Sequence, residues 1–263
     1  MKTVRSILAY ELKDLVRSTW LIAYMMFFGL MTAGLLYYGG GGRSAVLSLV
    51  NVILTLIPLV GLLYGTMYLY ASRAFIELLL SQPVSRRVLF AGLYGGLAVP
   101  LSLAFALGVT IPVAMFSGRI EGVGGLLLTI VSTGVVLTLV FVAVAFVVAN
   151  VVEDRVRGMS LAIMIWLVAT VLYDGLILYV VHAFAEYPLE IPVLALAMLN
   201  PVDLARIVLL LNFDISALMG YTGAVFERFF GTGLGVGLSA AALLTWLGVP
   251  LWLGLRRFLT KDF

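Results

Sequence analysis

Asp174 is the residue whose type and position most clearly invite chemistry, because it lies deep inside an apolar run, LVATVLYDGLILYVV. An ionisable group at such a depth in a membrane span is a functional hypothesis by default. Asn51 is polar within another apolar run, and His182 follows Asp174 by two helical turns on broadly the same side. Asp174 could belong to a polar patch for gating or cargo contact, or it could bind a neighbouring helix or an arginine of the following segment. The sequence favours the second interpretation, because no other carboxylate lies within a span to form a relay.

Few residues of the sequence are suited to catalysis or to binding a metal ion. The sequence has no cysteine and one histidine, so thiolate sites, cysteine nucleophiles and histidine clusters are excluded. The ten methionines are scattered, and packing accounts for them better than copper binding. The stretch GGGGRS at 39–44 lacks the lysine and the strand–helix context of a phosphate loop. We therefore predict a protein without catalytic residues, metal ligands or a cofactor of its own.

The composition is typical of a polytopic membrane protein. Hydrophobic residues make up 63% of the 263-residue chain and charged residues 11%, whereas soluble domains carry about a quarter charged residues. A span needs about 20 apolar residues, so the sequence predicts one all-α domain, 1–263, with six transmembrane helices. The spans are expected at about 20–38, 45–71, 88–116, 124–149, 159–181 and 232–255. The net charge of +3 is spread over their edges and does not indicate nucleic-acid binding.

The basic residues predict the orientation. Twelve of the sixteen Lys and Arg lie on one side of the predicted spans, and Arg43, Arg119, Arg206 and Arg228 lie on the other. The richer side is expected to be cytoplasmic, and six spans then place both termini there. Acidic residues precede the first apolar run, so no cleaved signal peptide is expected. Residues 1–18 are predicted to form an amphipathic helix in the membrane interface.

The stretch RAFIELLLSQPVSRRVLF, residues 73–90, lies between the second and third spans and contains both charged and apolar residues. Phe75, Leu78 and Leu79 share one helical face, and Arg73 and Glu77 are expected to form an ion pair on another. This pattern predicts a short amphipathic helix on the cytoplasmic surface. The alternative is an ordinary loop.

Signals at the end of this stretch predict where its helix stops. Pro83 disfavours helical geometry at the residue before it, so the helix should end there. Ser85 can cap the following helix, with Arg86 and Arg87 held at the water interface. Because the helix projects between two spans, a cytoplasmic partner could push on it.

The segment between the fifth and sixth spans, 182–231, is long, and connections of this length are rarely idle. Asn200, Pro201 and Asp203 give an N-cap, a first-position proline and an acidic third position. Asp214 is predicted to cap a second short helix at 215–219, and a third is expected at 222–230. The first helix carries an apolar stripe formed by Leu204, Ile207, Val208 and Leu211.

This outer segment has two interpretations. It could be a hydrophobic lid that only seals the bundle, or it could be a docking surface for an extracytoplasmic partner. In the docking interpretation Asp203 and Arg206 face the periplasm, where a partner can contact them. The docking residues are then Asn200, Pro201, Asp203, Arg206 and Asp214.

Two stretches carry a family resemblance. The lead-in KDLVR, the six spans and ELLLSQPVSRRVLFAG resemble permeases of type-2 ABC exporters. More narrowly, FIELLLSQPVSRRVLF together with LNPVDLARIVLLLNFDISALMGYTGAVF, residues 199–226, resembles the NosY-like permeases of the nitrous oxide reductase maturation transporter.

The resemblance implies a homodimer in a prokaryotic inner membrane, with two copies of a separate cytoplasmic ABC ATPase that holds ATP and Mg. It also implies a periplasmic β-helix repeat protein resting on the outer segment, and a role in assembling the copper–sulfur centre of nitrous oxide reductase. Residues 73–84 would be the coupling helix. The residues then assigned to ATPase coupling are Arg73, Phe75, Glu77, Leu78, Leu79, Ser81, Pro83, Arg86 and Arg87.

Three functions stay open on this basis. The dimer could open a path for a small cargo such as a sulfur species. It could instead be a mechanical transmitter that moves no substrate. It could also be a generic type-2 exporter of a drug or a lipid.

Overall fold

The computed structural model describes residues 19–38, 42–115, 123–184, 190–211 and 233–261, and every regular element within them is a helix. In chain order the helices are α1 Thr19–Tyr38, α2 Gly42–Ala71, α3 Arg73–Leu80, α4 Arg86–Met115, α5 Val123–Val151, α6 Arg155–Leu167, α7 Tyr173–Ala183, α8 Glu190–Met198, α9 Pro201–Leu211 and α10 Gly233–Thr260. A five-residue π-helical turn, Val168–Leu172, joins α6 to α7.

Six of these helical stretches are long and apolar enough to cross a membrane, which confirms the predicted all-α architecture. They are α1, α2, α4, α5, α10 and the continuous stretch Arg155–Ala183, which we call span five. Span five begins four residues earlier than predicted, because the Asp154 carboxylate accepts a hydrogen bond of 2.8 Å from the Arg157 backbone N–H. That N-cap lets two arginines enter the first turn of the helix.

Helix α5 lies at the centre of the bundle and packs against α2, α4, α9 and α10. Gly61 and Gly65 on α2 face it, and a Cβ at Gly65 would lie only 2.7 Å from the Ala145 Cβ. This glycine pair therefore allows α2 and α5 to pack closely within the chain. Gly237 of the similarly spaced pair on α10 faces open space.

Span five lies at the edge of the bundle. In its most apolar stretch 11% of the residues are buried, against 61% in α4 and in α5. Specific polar contacts at a few points therefore matter more for its position than general packing does.

The outer segment contains one helix that the sequence analysis missed. Helix α8 is the apolar stretch EIPVLALAM, and its proline is tolerated because it lies in the first turn, where backbone N–H groups have no partner within the helix. Helix α9 begins at Pro201 as predicted. Asp214 and the helices predicted at 1–18, 215–219 and 222–230 lie outside the described residues.

Candidate functional site

Helix α3 forms directly after α2 and ends at Leu80, ahead of Pro83 as predicted. Ile76, which the sequence analysis did not single out, is completely buried and anchors α3 to the bundle. Phe75 and Leu79 are half-buried, whereas Leu78 is 61% exposed. Of the residues predicted to couple to an ATPase, those exposed at the tip of α3 and just beyond it are Glu77, Leu78, Ser81, Pro83 and Arg87.

Arg73 does not pair with Glu77, so that prediction is wrong. Its guanidinium lies 4.5 Å from the centroid of the Tyr70 ring, and its Nη2 donates to the Val152 carbonyl at 3.5 Å. An aromatic face and a carbonyl beyond the negative end of α5 together hold the cation better than one exposed glutamate would.

Tyr70 connects the base of α3 to the elbow between α5 and α6. Its Oη donates to the Val152 carbonyl at 2.8 Å, so Tyr70 and Arg73 bind the same oxygen. A Cβ at Gly158 would overlap the Tyr70 phenol, so only glycine leaves room for this contact. The start of span five is therefore tied to the helix that precedes α3.

Arg86 has a structural role at the same end of the bundle. Its Nη1 donates to the carbonyls of Leu259 and Lys261 at 3.0 and 2.7 Å, which satisfies acceptors at the end of α10. Lys261 Nζ in turn donates to the Asn150 carbonyl at 3.3 Å. Burial lowers the pKa of Lys261, Arg73 lowers it further, and Glu153 opposes both. The assignment of Arg86 to ATPase coupling stays a prediction, although half of its surface is buried in these contacts.

Tyr70→Phe is expected to loosen this elbow without unfolding the bundle. The change removes one hydrogen bond to Val152 and should destabilise the protein by about 0.5–1.5 kcal/mol. Thermal unfolding of the purified protein in nanodiscs measures the change. Tyr94→Phe, which removes a hydrogen bond of 2.9 Å to the Leu139 carbonyl, is the matched control away from the elbow. Faster proteolysis near 152–158 in Tyr70→Phe alone is expected, and equal rates in the two variants would contradict the role of Tyr70.

A charged cluster joins span five to α9 toward the other end of the bundle. Arg206 donates to both carboxylate oxygens of Asp174, at 2.6 and 2.9 Å. Its Nη1 also donates to Asp203 Oδ1 at 2.9 Å. We call Asp174, Arg206 and Asp203 the outer triad.

The outer triad decides between the two interpretations of Asp174. The carboxylate binds an arginine of the segment that follows, as the sequence favoured. Asp203 is only 4% exposed and Arg206 is half-buried, so the expectation that both face the periplasm is wrong. Helix α9 packs against α2, α5 and α10, and Asp203 turns inward because Arg206 and Asn200 bind it there. Burial raises the pKa of Asp203 to about 7, and Arg206 opposes this rise.

Asn200 connects α9 with the π turn of span five. Its Oδ1 accepts from the Val202 N–H at 3.0 Å, which confirms the predicted N-cap. Its Nδ2 donates to the Ala169 carbonyl inside the π turn at 2.7 Å and to Asp203 Oδ2 at 2.9 Å. Sequence patterns predicted the N-cap but did not predict the contact with Ala169.

The remaining polar candidates lie elsewhere. Asn51 and His182 are exposed, and the structure brings neither into the outer triad. Within the described ranges no group of three or more His, Cys, Asp or Glu is placed to hold a metal ion. The geometry therefore comprises a protruding α3, a span tied at both ends and a partly buried ion-pair cluster.

Sequence similarity to known proteins assigns the chain to a family. Residues 5–263 match the model of the ABC-2 family transporter proteins. The chain is 26% identical to a probable ABC transporter permease protein NosY of Stutzerimonas stutzeri, over 98% of this chain and 96% of that protein. It is also 26% identical to a probable ABC transporter permease protein NosY of Pseudomonas aeruginosa, over 97% of this chain and 94% of that protein. The chain therefore belongs to the ABC-2 family of transporter proteins, as a permease subunit of an ABC transporter.

Proposed function

We propose that this permease couples ATP hydrolysis by a separate cytoplasmic ATPase to a periplasmic partner during assembly of the copper–sulfur centre of nitrous oxide reductase. The proposal includes a homodimer in a prokaryotic inner membrane, two ATPase copies, cytoplasmic termini and a periplasmic β-helix repeat protein. The full-length similarity to two NosY permeases supports the biological setting. ATP and Mg would be held by the ATPase.

The shape of α3 is the observation that carries the coupling role. Ile76 is completely buried and Leu79 and Leu80 pack against the core, while the apolar Leu78 next to the charged Glu77 is exposed. An apolar residue rimmed by polar ones is the usual composition of the centre of a protein interface. Because α3 is continuous with Tyr70 and Arg73, a push on its exposed face also moves the Val152 elbow.

Glu77→Lys is expected to weaken binding of the ATPase at least tenfold. Arg73 is engaged elsewhere, so the substitution breaks no ion pair among the residues that the structure describes, and the loss reports docking directly. A tenfold change corresponds to about 1.4 kcal/mol, within the range for charged contacts at an interface. Co-purification of the ATPase with the tagged permease, followed by titration in nanodiscs, measures the effect.

A matched control is available at the same end of the bundle. Arg257→Glu also inverts an exposed charge, but on α10 rather than on α3. It should leave ATPase binding within about twofold of the unsubstituted protein, since an isolated charge outside an interface contributes little. Full affinity in Glu77→Lys would overturn the assignment of α3.

Of the alternative functions, mechanical transmission is favoured over a cargo path by the outer triad. In a cargo path Asp174 would be free to meet a substrate, whereas here both of its carboxylate oxygens bind Arg206. Transport assays would reverse this preference if proteoliposomes containing the permease and ATPase moved a small sulfur species. A generic exporter would be supported instead if drugs or lipids stimulated ATP hydrolysis and a periplasmic repeat protein did not.

A further inference from the structure

The π turn Val168–Leu172 interrupts span five between its two anchored ends. The Tyr173 N–H donates to the Val168 carbonyl five residues earlier, rather than four as in an α-helix. Turns of this kind are rare and often occur at functional sites. Each α-helical residue rotates the chain by about 100°, so the wide turn places Asp174 about 100° away from its position in an uninterrupted helix.

Contacts from α9 hold the wide turn open. The Ala169 carbonyl within it accepts from Asn200 Nδ2 at 2.7 Å. Arg206, on the same helix as the N-cap made by Asn200, binds Asp174 just beyond the turn. The π turn, the N-terminus of α9 and the outer triad therefore depend on one another.

The part of span five below the turn is held by other helices. Trp166 Nε1 donates to the Thr55 carbonyl on α2 at 2.9 Å, and Val152 at the elbow binds Tyr70. Beyond the turn, Tyr173 Oη donates to the Leu196 carbonyl of α8 at 2.6 Å. The lower part is thus tied to α2 and the upper part to the outer segment, with the π turn between them.

We propose that the π turn is a rotary joint between α6 and α7. On conversion to α-helical geometry, the Val168 carbonyl exchanges the Tyr173 N–H for the Leu172 N–H, and α7 rotates by about 100° and advances by about 1.5 Å. Asp174 then leaves Arg206, and α9 is released from span five. The role of this rotation in carrying coupling to the outer segment rests on the proposed function. The joint itself is a property of this chain.

Spin-label distances test the joint directly. The chain has no cysteine, so nitroxides can be attached to single cysteines introduced at Leu178 and Leu128, which are 70% and 71% exposed. Asn200→Ala combined with Asp174→Asn should add a second distance population to the single one of the unsubstituted protein in nanodiscs. A rotation of about 100° at a side-chain radius of roughly 5–6 Å displaces the label on the order of 8 Å.

Two controls make the result specific. A label at Met164, below the turn and 61% exposed, should keep one distance to Leu128 in every variant. Deletion of Val171 removes the surplus residue, so an uninterrupted helix keeps Asp174 beside Arg206. This deletion should abolish the second population in the Asn200→Ala, Asp174→Asn background. If the deletion variant fails to fold, the comparison of the Leu178 and Met164 labels still shows whether α7 rotates relative to α6.

An unchanged single distance for Leu178 in the doubly substituted protein would overturn the joint. With the ATPase bound, a non-hydrolysable ATP analogue should increase the second population in the unsubstituted chain. No response to the analogue while the ATPase stays bound would overturn the role of the joint in coupling. Failure of the ATPase to bind at all would instead overturn the proposed function.

Discussion

Arg206→Met is expected to destabilise the protein by about 1–3 kcal/mol, less than the loss of one partner from a fully buried ion pair, because the Arg206 and Asp174 side chains are 26% and 35% exposed. The methionine fills similar space, but it leaves the Asp174 and Asp203 carboxylates close together without their shared cation. Asp203 is almost fully buried, so water cannot replace the lost contact. Thermal unfolding in nanodiscs measures the loss.

Neutral substitutions of both carboxylates provide the control for the outer triad. Arg206→Met combined with Asp174→Asn and Asp203→Asn leaves no uncompensated charge, and buried ion clusters replaced by neutral groups are often as stable as before. The triple variant should therefore regain most of the stability lost in the single one. Equal losses in the two proteins would mean that packing of the Arg206 side chain, rather than its charge, holds α9 in place.

Phe105→Ala is expected to destabilise the bundle by about 3–5 kcal/mol, the usual cost of truncating a buried phenylalanine. Phe105 is completely buried on α4 and meets the Phe28 ring of α1 edge to face, with centroids 5.1 Å apart. The same ring lies directly over Gly134 of α5. Loss of the ring thus weakens the contacts of α4 with both neighbours, and chemical unfolding measures the change.

Gly134 makes this prediction testable by a double-mutant cycle. A Cβ at Gly134 would overlap the Phe105 ring, so Gly134→Ala alone should destabilise by about 1–3 kcal/mol through overpacking. In the Phe105→Ala background the same methyl group enters the space left by the ring and should be neutral or stabilising. Strict additivity of the two substitutions would show that the ring and the glycine do not share a contact.

The short helices were predicted with mixed success, for reasons that differ between them. The end of α3 and the start of α9 follow local rules for proline and asparagine, and both were predicted closely. Helix α8 is preceded by Leu189 rather than by a typical capping residue, and it was missed. The inward anchor of α3, Ile76, was also missed, because the three apolar residues chosen as a face did not reveal which side meets the bundle.

The partners of charged residues could not be predicted from spacing. Arg73 and Glu77 have the right separation for an ion pair, yet Arg73 binds Tyr70 and Val152, which come from two other elements. Asp203 and Arg206 were expected to face outward because the apolar stripe of α9 was expected to lie against the membrane or the bundle. Asp174, 32 residues earlier in the chain, draws Arg206 inward instead.

The sequence by itself determined the membrane class, the six spans and the existence of the α3 and α9 helices. These properties depend on local composition and on backbone rules, because each span must satisfy its own hydrogen bonds within an apolar stretch. Tertiary structure alone decided the outer triad, the Val152 elbow and the π turn. Each depends on contacts between residues distant in sequence. The contact between Asn200 and Ala169, for example, exists only because packing brings α9 against span five. Long-range contacts of this kind leave no periodicity in the chain, since their geometry is set by how whole helices pack.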